Sequence, residues 1–484
     1  MHKCGFDRMR YRLALSAGTI SAAALVVSGC MVGPNYHKPS APVPPAFAEP
    51  AAPAPAGPNA IAYGDWWKVF HDPLLDNLET QADAANKDIK IAIAHVDEAS
   101  ASTSIARSFL FPTVGAAPSA TRFREAQDRP NNGNTYGKAA SQNDIQLPLF
   151  ASYEIDAWGR IRRSVQSARA TQEATEADLR FVRLSVEASV AIDYYSLRMI
   201  DQQLMIVDRS IVAFTQALAL TTNRFQKGLN SELEVAQAKT LLDQTITQKQ
   251  ALQMQRDQLE HAIAVLLGRT VEGFSLPDQR SNPTPPDIPI GLPSDLLERR
   301  PDIAEADRNV AAANAQIGVA KAAYFPQFSL TGLVGYESVN ATSLLNWQNS
   351  IASLGASAVA PIFTGGRLRA GVNQAQAVYR QSLVQYEKAV LIAYQEVEDQ
   401  LAALHYLEGE SQSQASAVVD SRQAEMIATQ RFKAGLVGYL NVVVAQETEL
   451  ADEQTAAQIS GQRLVASVVL IKALGGGWAG GKAP

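Results

Sequence analysis

Residues 190–229 read VAIDYYSLRMIDQQLMIVDRSIVAFTQALALTTNRFQKGL, and the spacing of their apolar positions decides the fold class. Val190, Leu197, Leu204, Ile211, Leu218 and Phe225 recur every seven residues, with Ile200, Val207 and Phe214 three further on, which is a coiled-coil seam. One long helix is expected. It stops at Arg224-Phe225-Gln226-Lys227-Gly228-Leu229, where Gly228 can take the left-handed backbone that closes a helix and Ser231 can cap the next one. The same turn returns as Arg431-Phe432-Lys433-Ala434-Gly435-Leu436, displaced by 207 residues. At that displacement Gly159-Arg160-Ile161-Arg162 recurs as Gly366-Arg367-Leu368-Arg369, and Leu267-Gly268 as Leu474-Gly475. The chain is a tandem duplication.

Outward from this stretch, each repeat reads in the same order. An Ala-rich helical run follows Asp72-Pro73 through to Phe109 and ends at Phe111-Pro112; its counterpart opens at Arg299-Arg300-Pro301-Asp302-Ile303 and ends at Phe325-Pro326. The period then changes from helix to strand. Ile145, Leu147, Leu149, Ala151 and Tyr153 alternate with polar Gln146, Ser152 and Glu154, which predicts a hairpin over 113–154 with a polar tip at 128–138. Pro148 is tolerable there only at an edge or an irregular spot. In the second repeat Phe328, Leu330, Val334 and Tyr336 alternate with Gln327, Ser329, Thr331 and Glu337, and a partner strand over 351–363 completes a hairpin at 327–363. Long helices then run over 157–228 and 367–432, each with a shorter return helix. The first repeat spans 61–268, a linker with six prolines 269–293, the second repeat 294–475, and a Gly-rich tail 476–484. The phase of the strands predicts one apolar face containing Phe123, Ile145, Leu149 and Tyr336.

The N-terminus reads as an export signal. Lys3, Arg8, Arg10 and Arg12 precede an apolar run from Leu13 to Val27, too short to span a bilayer, and the run ends in Val27-Ser28-Gly29-Cys30. That ending resembles a bacterial lipobox, which makes 1–29 a lipoprotein signal and Cys30 the acylated first residue of the mature chain. The only other cysteine, Cys4, lies in the signal, so no disulfide is available. Prolines at 34, 39, 42, 44, 45, 50, 53, 55 and 58 then make 30–60 an extended strap.

The bulk properties exclude several functions. A formal charge of −6, falling to −9 without the signal, and no basic run longer than an Arg pair argue against nucleic acid. The six histidines form no HExxH, and there is no Cys/His cluster or Gly-rich phosphate loop, so neither catalysis, nor a metal, nor a cofactor is expected. The sequence offers geometry instead. Four amphipathic strands cannot close a membrane barrel, the smallest of which have about eight, and an open edge in lipid leaves backbone groups unpaired at several kcal/mol each. Closure has to be shared between subunits. An envelope tether built from coiled coils would also fit the lipobox and heptads, but a tether needs no strands.

The order of lipobox, Pro-rich strap, Trp66-Trp67, Phe-Pro junctions, Asp156-Ala157-Trp158-Gly159-Arg160, Arg299-Arg300-Pro301-Asp302-Ile303 and twin Arg-Phe turns resembles the outer-membrane efflux factors of the TolC family, in the lipoprotein branch that serves RND-type pumps. The resemblance implies a mainly α fold with membrane β-structure: long coiled-coil helices forming a periplasmic α-barrel, and four strands per chain joining a twelve-stranded barrel in a homotrimer. It implies a passive outer-membrane duct for small toxic compounds, with a duct for secreted protein left open, and as partners a periplasmic adaptor, an inner-membrane pump and outer-membrane lipid. It also places a periplasmic gate at Leu440-Asn441-Val442-Val443-Val444-Ala445-Gln446. Family members commonly carry Asp where this chain has Val444, so a constriction here would be an apolar ring of Leu440 and Val444. Arg224 and Arg431, with Gly228 and Gly435, would form the tips.

Overall fold

The computed structural model describes residues 31–40, 44–48, 65–124, 141–278, 285–286, 288 and 296–476. Two compact units emerge, and each is assembled from both repeats. The first unit takes 1–39, 97–174 and 307–385; the second takes 40–96, 175–306 and 386–484. The elements in chain order are α1 (Pro73–Ala85), α2 (Lys87–Ser108), β1 (Thr113–Ala116), β2 (Ser119–Arg124), β3 (Ser141–Ile155), α3 (Arg160–Gln226), α4 (Glu232–Leu266), α5 (Leu296–Arg299), α6 (Pro301–Ala322), β4 (Gln327–Ser338), β5 (Ser350–Val359), α7 (Arg367–Lys433) and α8 (Leu440–Ala473). The rods α3 and α7 are 67 residues each, about 100 Å long, and both their ends obey the displacement of 207.

In the first unit the strands form one antiparallel sheet in the order β1/β2, β3, β4, β5. Its register fixes the faces. Leu147 pairs with Tyr336, Leu149 with Val334 and Tyr153 with Leu330, and β5 brings Ala352, Leu354 and Ala356 to the same side. The opposite side is mostly polar, carrying Gln142, Asp144, Gln146, Ser152, Glu154, Thr331 and Ser357, with Phe150 paired to Leu333 among them. Phe123 departs from the expected face: it pairs with Gln142 and so lies on the polar side. The faint first strand gave too few apolar residues to fix its phase, and only pairing with β3 does so. Pro148 sits in a central strand, opposite Ala117, where the chain breaks between β1 and β2. Ala117 donates to the Pro148 carbonyl at 3.2 Å, and the return bond, which Pro148 has no N–H to make, is the one missing. On its other side Pro148 faces Gly335, where a Cβ would come within 2.7 Å of the proline Cα. The strand expected over 351–363 ends at Val359, just before Pro361.

The second unit is a helical core. Trp66 and Trp67 meet edge to face at 5.9 Å, and Phe70 lies 5.1 Å from Tyr195, over the buried side chains of Leu75, Leu78, Tyr194, Leu197 and Ile263. The run expected as one helix from Asp72 to Phe109 is two, divided at Asn86. Its side chain accepts from the amides of Asp88 and Ile89 and donates to the Leu266 carbonyl at 2.8 Å, so it caps the second helix and ties it to α4. The long helix starts at Arg160, three residues later than expected, because Asp156 caps it by accepting from Ile161 and Arg162 N–H groups. The Arg299-Arg300-Pro301-Asp302 motif has a packing reason. Arg300, 4% exposed, donates to both Asp302 oxygens, to Glu396 at 2.7 Å and to the Ala473 carbonyl at 3.0 Å.

Candidate functional site

The expected acylation site, Cys30, lies outside the described residues. Residues 31–36, the first described part of the strap, are docked in the first unit. Val32 N–H donates to the Trp158 carbonyl at 3.1 Å, and the Met31 side chain lies against Gly159. Arg163, 3% exposed, donates to the carbonyls of Val32 and Gly33 and to Asn35 Oδ1. Gly33 sits on Gly318 so closely that a Cβ on Gly33 would fall 2.5 Å from the Gly318 Cα. Tyr36 hydrogen-bonds Asp307 beneath the Arg308 guanidinium, and Asn314 donates to the Pro34 carbonyl. An extended chain with prolines cannot satisfy its own carbonyls, so this Arg and Asn do it. Sequence reading singled out neither. Arg163 sits one place beyond the repeated Gly-Arg-x-Arg, and an unmatched cation beside a duplicated motif was the available signal.

The two turns of the second unit are built alike. Gly228 and Gly435 have φ of +71° and +76°, and in each turn the glycine N–H reaches the Phe carbonyl while the following Leu N–H reaches the Arg carbonyl. This is the paired bond pattern that closes a helix end. Ser231 occupies the expected cap position with extended backbone, but its side chain makes no capping bond. The two arginines differ. Arg224 donates to Asn230 Oδ1 at 3.1 Å and lies 4.8 Å over the Phe432 ring, whereas the Arg431 side chain is exposed and makes no hydrogen bond or ion pair among the described residues. Leu440 and Val444, 56% and 53% exposed, line an open groove of about 640 Å³ together with Arg431. The heptad seam is buried at Val190, Leu197, Ile200, Val207 and Phe214 but opens at Phe225, 43% exposed.

The helical unit also buries charge. Glu79 is fully buried with neither carboxylate oxygen bonded, and Asp76 Oδ1, the Tyr195 hydroxyl and Trp67 Nε1 are likewise buried and unbonded. Desolvation, then the neighbouring Glu187 and Asp76, push its carboxyl well above the ordinary range. Glu187 accepts from Trp66 Nε1 at 2.9 Å, and burial raises it to about 7. Among the described residues no group of three His, Cys, Asp or Glu side chains is placed to hold a metal ion.

The family model for outer membrane efflux proteins matches residues 78–269 and 292–476. The chain belongs to the outer membrane efflux protein family. Its members are outer-membrane channel components of efflux pumps, and the two matched blocks each carry strands of the sheet, one rod and one return helix. The probable efflux pump outer membrane protein TtgC of Pseudomonas putida is 30% identical over 464 residues, 95% of each chain. The pyoverdine export outer membrane protein OpmQ of Pseudomonas aeruginosa is 34% identical, over 85% of this chain and 87% of its own. Among solved structures, the outer-membrane channel OprN superposes with a TM-score of 0.86 at 30% identity, covering 93% of this chain and all of OprN. An efflux-protein fold explains why about a third of each repeat is rod: the long helices are duct wall.

Proposed function

We propose that the protein is the outer-membrane duct of a tripartite efflux system, a homotrimer that passes small toxic compounds from the periplasm to the exterior without catalysing a reaction. The observation that carries this reading is the sheet of the first unit. It has an apolar face and a polar face, and two edges, β1/β2 and β5, with no further partner among the described residues. Counting β1 and β2, which pair in line along β3, as one interrupted strand, three copies joined edge to edge would give a twelve-stranded barrel with its apolar face to lipid and its polar face around water. An acylated Cys30 would add a second hold, since residue 31 is bound to Gly159 at the end of β3 and the start of α3. The driving energy would come from an RND-type inner-membrane pump through a periplasmic adaptor that meets the helical turns. Leu440 and Val444 would narrow the tunnel as an apolar ring, with Gly228 and Gly435 shaping the tips.

Ion conductance in planar bilayers tests the duct. Purified protein is expected to give stable channels, and its expression with a cognate adaptor and pump to lower drug susceptibility in a strain lacking its own duct. An oligomer that never conducts, under any voltage or gating condition, would refute the reading.

A further inference from the structure

Strand β2 inverts its own pattern part-way along. Its register on β3 puts Ala120 on the apolar face, beside Ile145, and then Arg122 beside Asn143 and Arg124 beside Ser141 on that same face. Phe123, between the two arginines, turns to the polar face beside Gln142. Beyond Ala120 the outward side of the strand is therefore cationic and the inward side aromatic, the reverse of what hydrocarbon demands. Arg122 and Arg124 are both exposed and make no hydrogen bond or ion pair among the described residues.

The height of this inversion follows from strand geometry. On β3 the apolar face runs from Ile155 through Tyr153, Ala151, Leu149 and Leu147 to Ile145. These ten residue steps at about 3.4 Å make about 34 Å along the strand, which a barrel tilt of about 40° reduces to about 26 Å across the membrane. That is the full height of the apolar band of an outer-membrane barrel, about 25 Å. Exposed aromatic side chains bracket it, Phe111 and Tyr324 shortly before β1 and β4, and Trp347 in the connection from β4 to β5. Arg122 and Arg124 stand on the next two rungs, about 5 and 10 Å beyond the band, which is the depth of the headgroup layer. The layer is the exterior one, because the opposite end of the sheet leads into α3 and α7, the rods that reach into the periplasm in the duct reading.

We propose that Arg122 and Arg124 form a binding site for the phosphate of an anionic glycolipid in the exterior leaflet. That leaflet of a bacterial outer membrane is built of a glucosamine lipid bearing phosphate groups on its sugar and acyl chains beneath. Alternate residues on one strand face stand about 7 Å apart, so both guanidiniums reach one phosphate, each offering parallel N–H donors. The acyl chains of the same lipid lie along the apolar face below, over Ala120, Ile145 and Leu147. Cation and apolar surface thus adjoin in the order in which such a lipid presents phosphate and chain, an arrangement that a free phosphate ion would not use. Pairing of β2 with the next copy would occupy its backbone groups and leave both side chains on the outer face.

The site rests on the reading of the sheet as a membrane wall and is tested apart from it. Purified protein in detergent is titrated with lipid A, with lipid A stripped of its phosphates and with inorganic phosphate, and bound lipid is counted by native mass spectrometry. The parent is expected to bind lipid A about tenfold more tightly than the dephosphorylated form, and Arg122→Gln with Arg124→Gln to lose that preference. Arg367→Gln with Arg369→Gln removes as much charge beyond the other end of the sheet and should leave the preference intact. Arg122→Lys with Arg124→Lys keeps the charge without the paired donors, and is expected to weaken lipid A binding severalfold should the glutamine pair fail to fold. Conductance in planar bilayers should match the parent in every variant. A conducting protein whose preference survives both replacements of Arg122 and Arg124, or falls equally on replacement of Arg367 and Arg369, overturns the site and leaves the duct reading standing. Inorganic phosphate that displaces lipid A at equal concentration does the same, since it would mark a site for the free anion. A protein that gives no channels and binds both lipids alike overturns both.

Discussion

Replacing Glu79 with Leu should stabilise the protein at neutral and alkaline pH. Glu79 has no solvent exposure and no hydrogen-bond partner for either oxygen, so its folded state retains a proton that the unfolded chain gives up. Leu nearly fills the same volume and removes a buried polar group worth about 1–3 kcal/mol when unsatisfied. Glu187 supplies the scale of the pH dependence. Its folded value of about 7 lies above the ordinary 4.5, so the folded state binds more protons between those values and stability falls as pH rises through that window. At about 1.4 kcal/mol per unit, the loss attributable to Glu187 reaches at most roughly 3.4 kcal/mol by pH 8. Glu79, raised by the same burial and by Glu187 itself, adds to the fall. Urea unfolding in detergent at pH 5 and pH 8 measures this for the parent, Glu79→Leu and Glu187→Gln, the last retaining an acceptor for Trp66. The parent should be less stable at pH 8 than at pH 5, each variant should flatten that difference, and Glu79→Leu should gain most at pH 8. A parent whose stability does not fall between those pH values, or a Glu79→Leu protein weaker than the parent at pH 8, would refute the reasoning.

On the sheet, Leu149→Arg should cost about 2–4 kcal/mol near the bilayer midplane, while Gln146→Arg on the polar face should cost far less; equal losses of folded yield would contradict the assigned faces. Cys30→Ser should abolish palmitate labelling and leave export impaired more than lost, because the strands still hold the membrane; persistent labelling would show that the lipid is elsewhere. Val444→Asp should raise cation selectivity and divalent-cation block in bilayer recordings, and an unchanged reversal potential would remove Val444 from the pore lining. Arg163→Met should free the strap, since three acceptors lose their donor at once, and limited proteolysis should then cut within 31–40 much faster than in the parent.

Periodicity carried most of the fold. A seven-residue seam and a displacement of 207 need no tertiary information, because a helix and its repeat write their spacing directly into the chain, and both rods begin and end at that displacement. The tip glycines were legible for the same local reason: positive φ at a helix end is a one-residue demand. What tertiary structure alone decided are the matters of pairing. The phase of Phe123 followed from the β3 register, Asn86 became a cap only because α4 ends beside it, and Pro148 found its irregular spot where β1 and β2 part. Arg163 is an ordinary helix cation until a strap from 130 residues away in sequence arrives on it. The clearest case is the pair of turn arginines. Alike in sequence context, Arg224 lies over the Phe432 ring and is tethered by Asn230, whereas Arg431 is bare, since Val437 stands at the place of Asn230 and offers no acceptor.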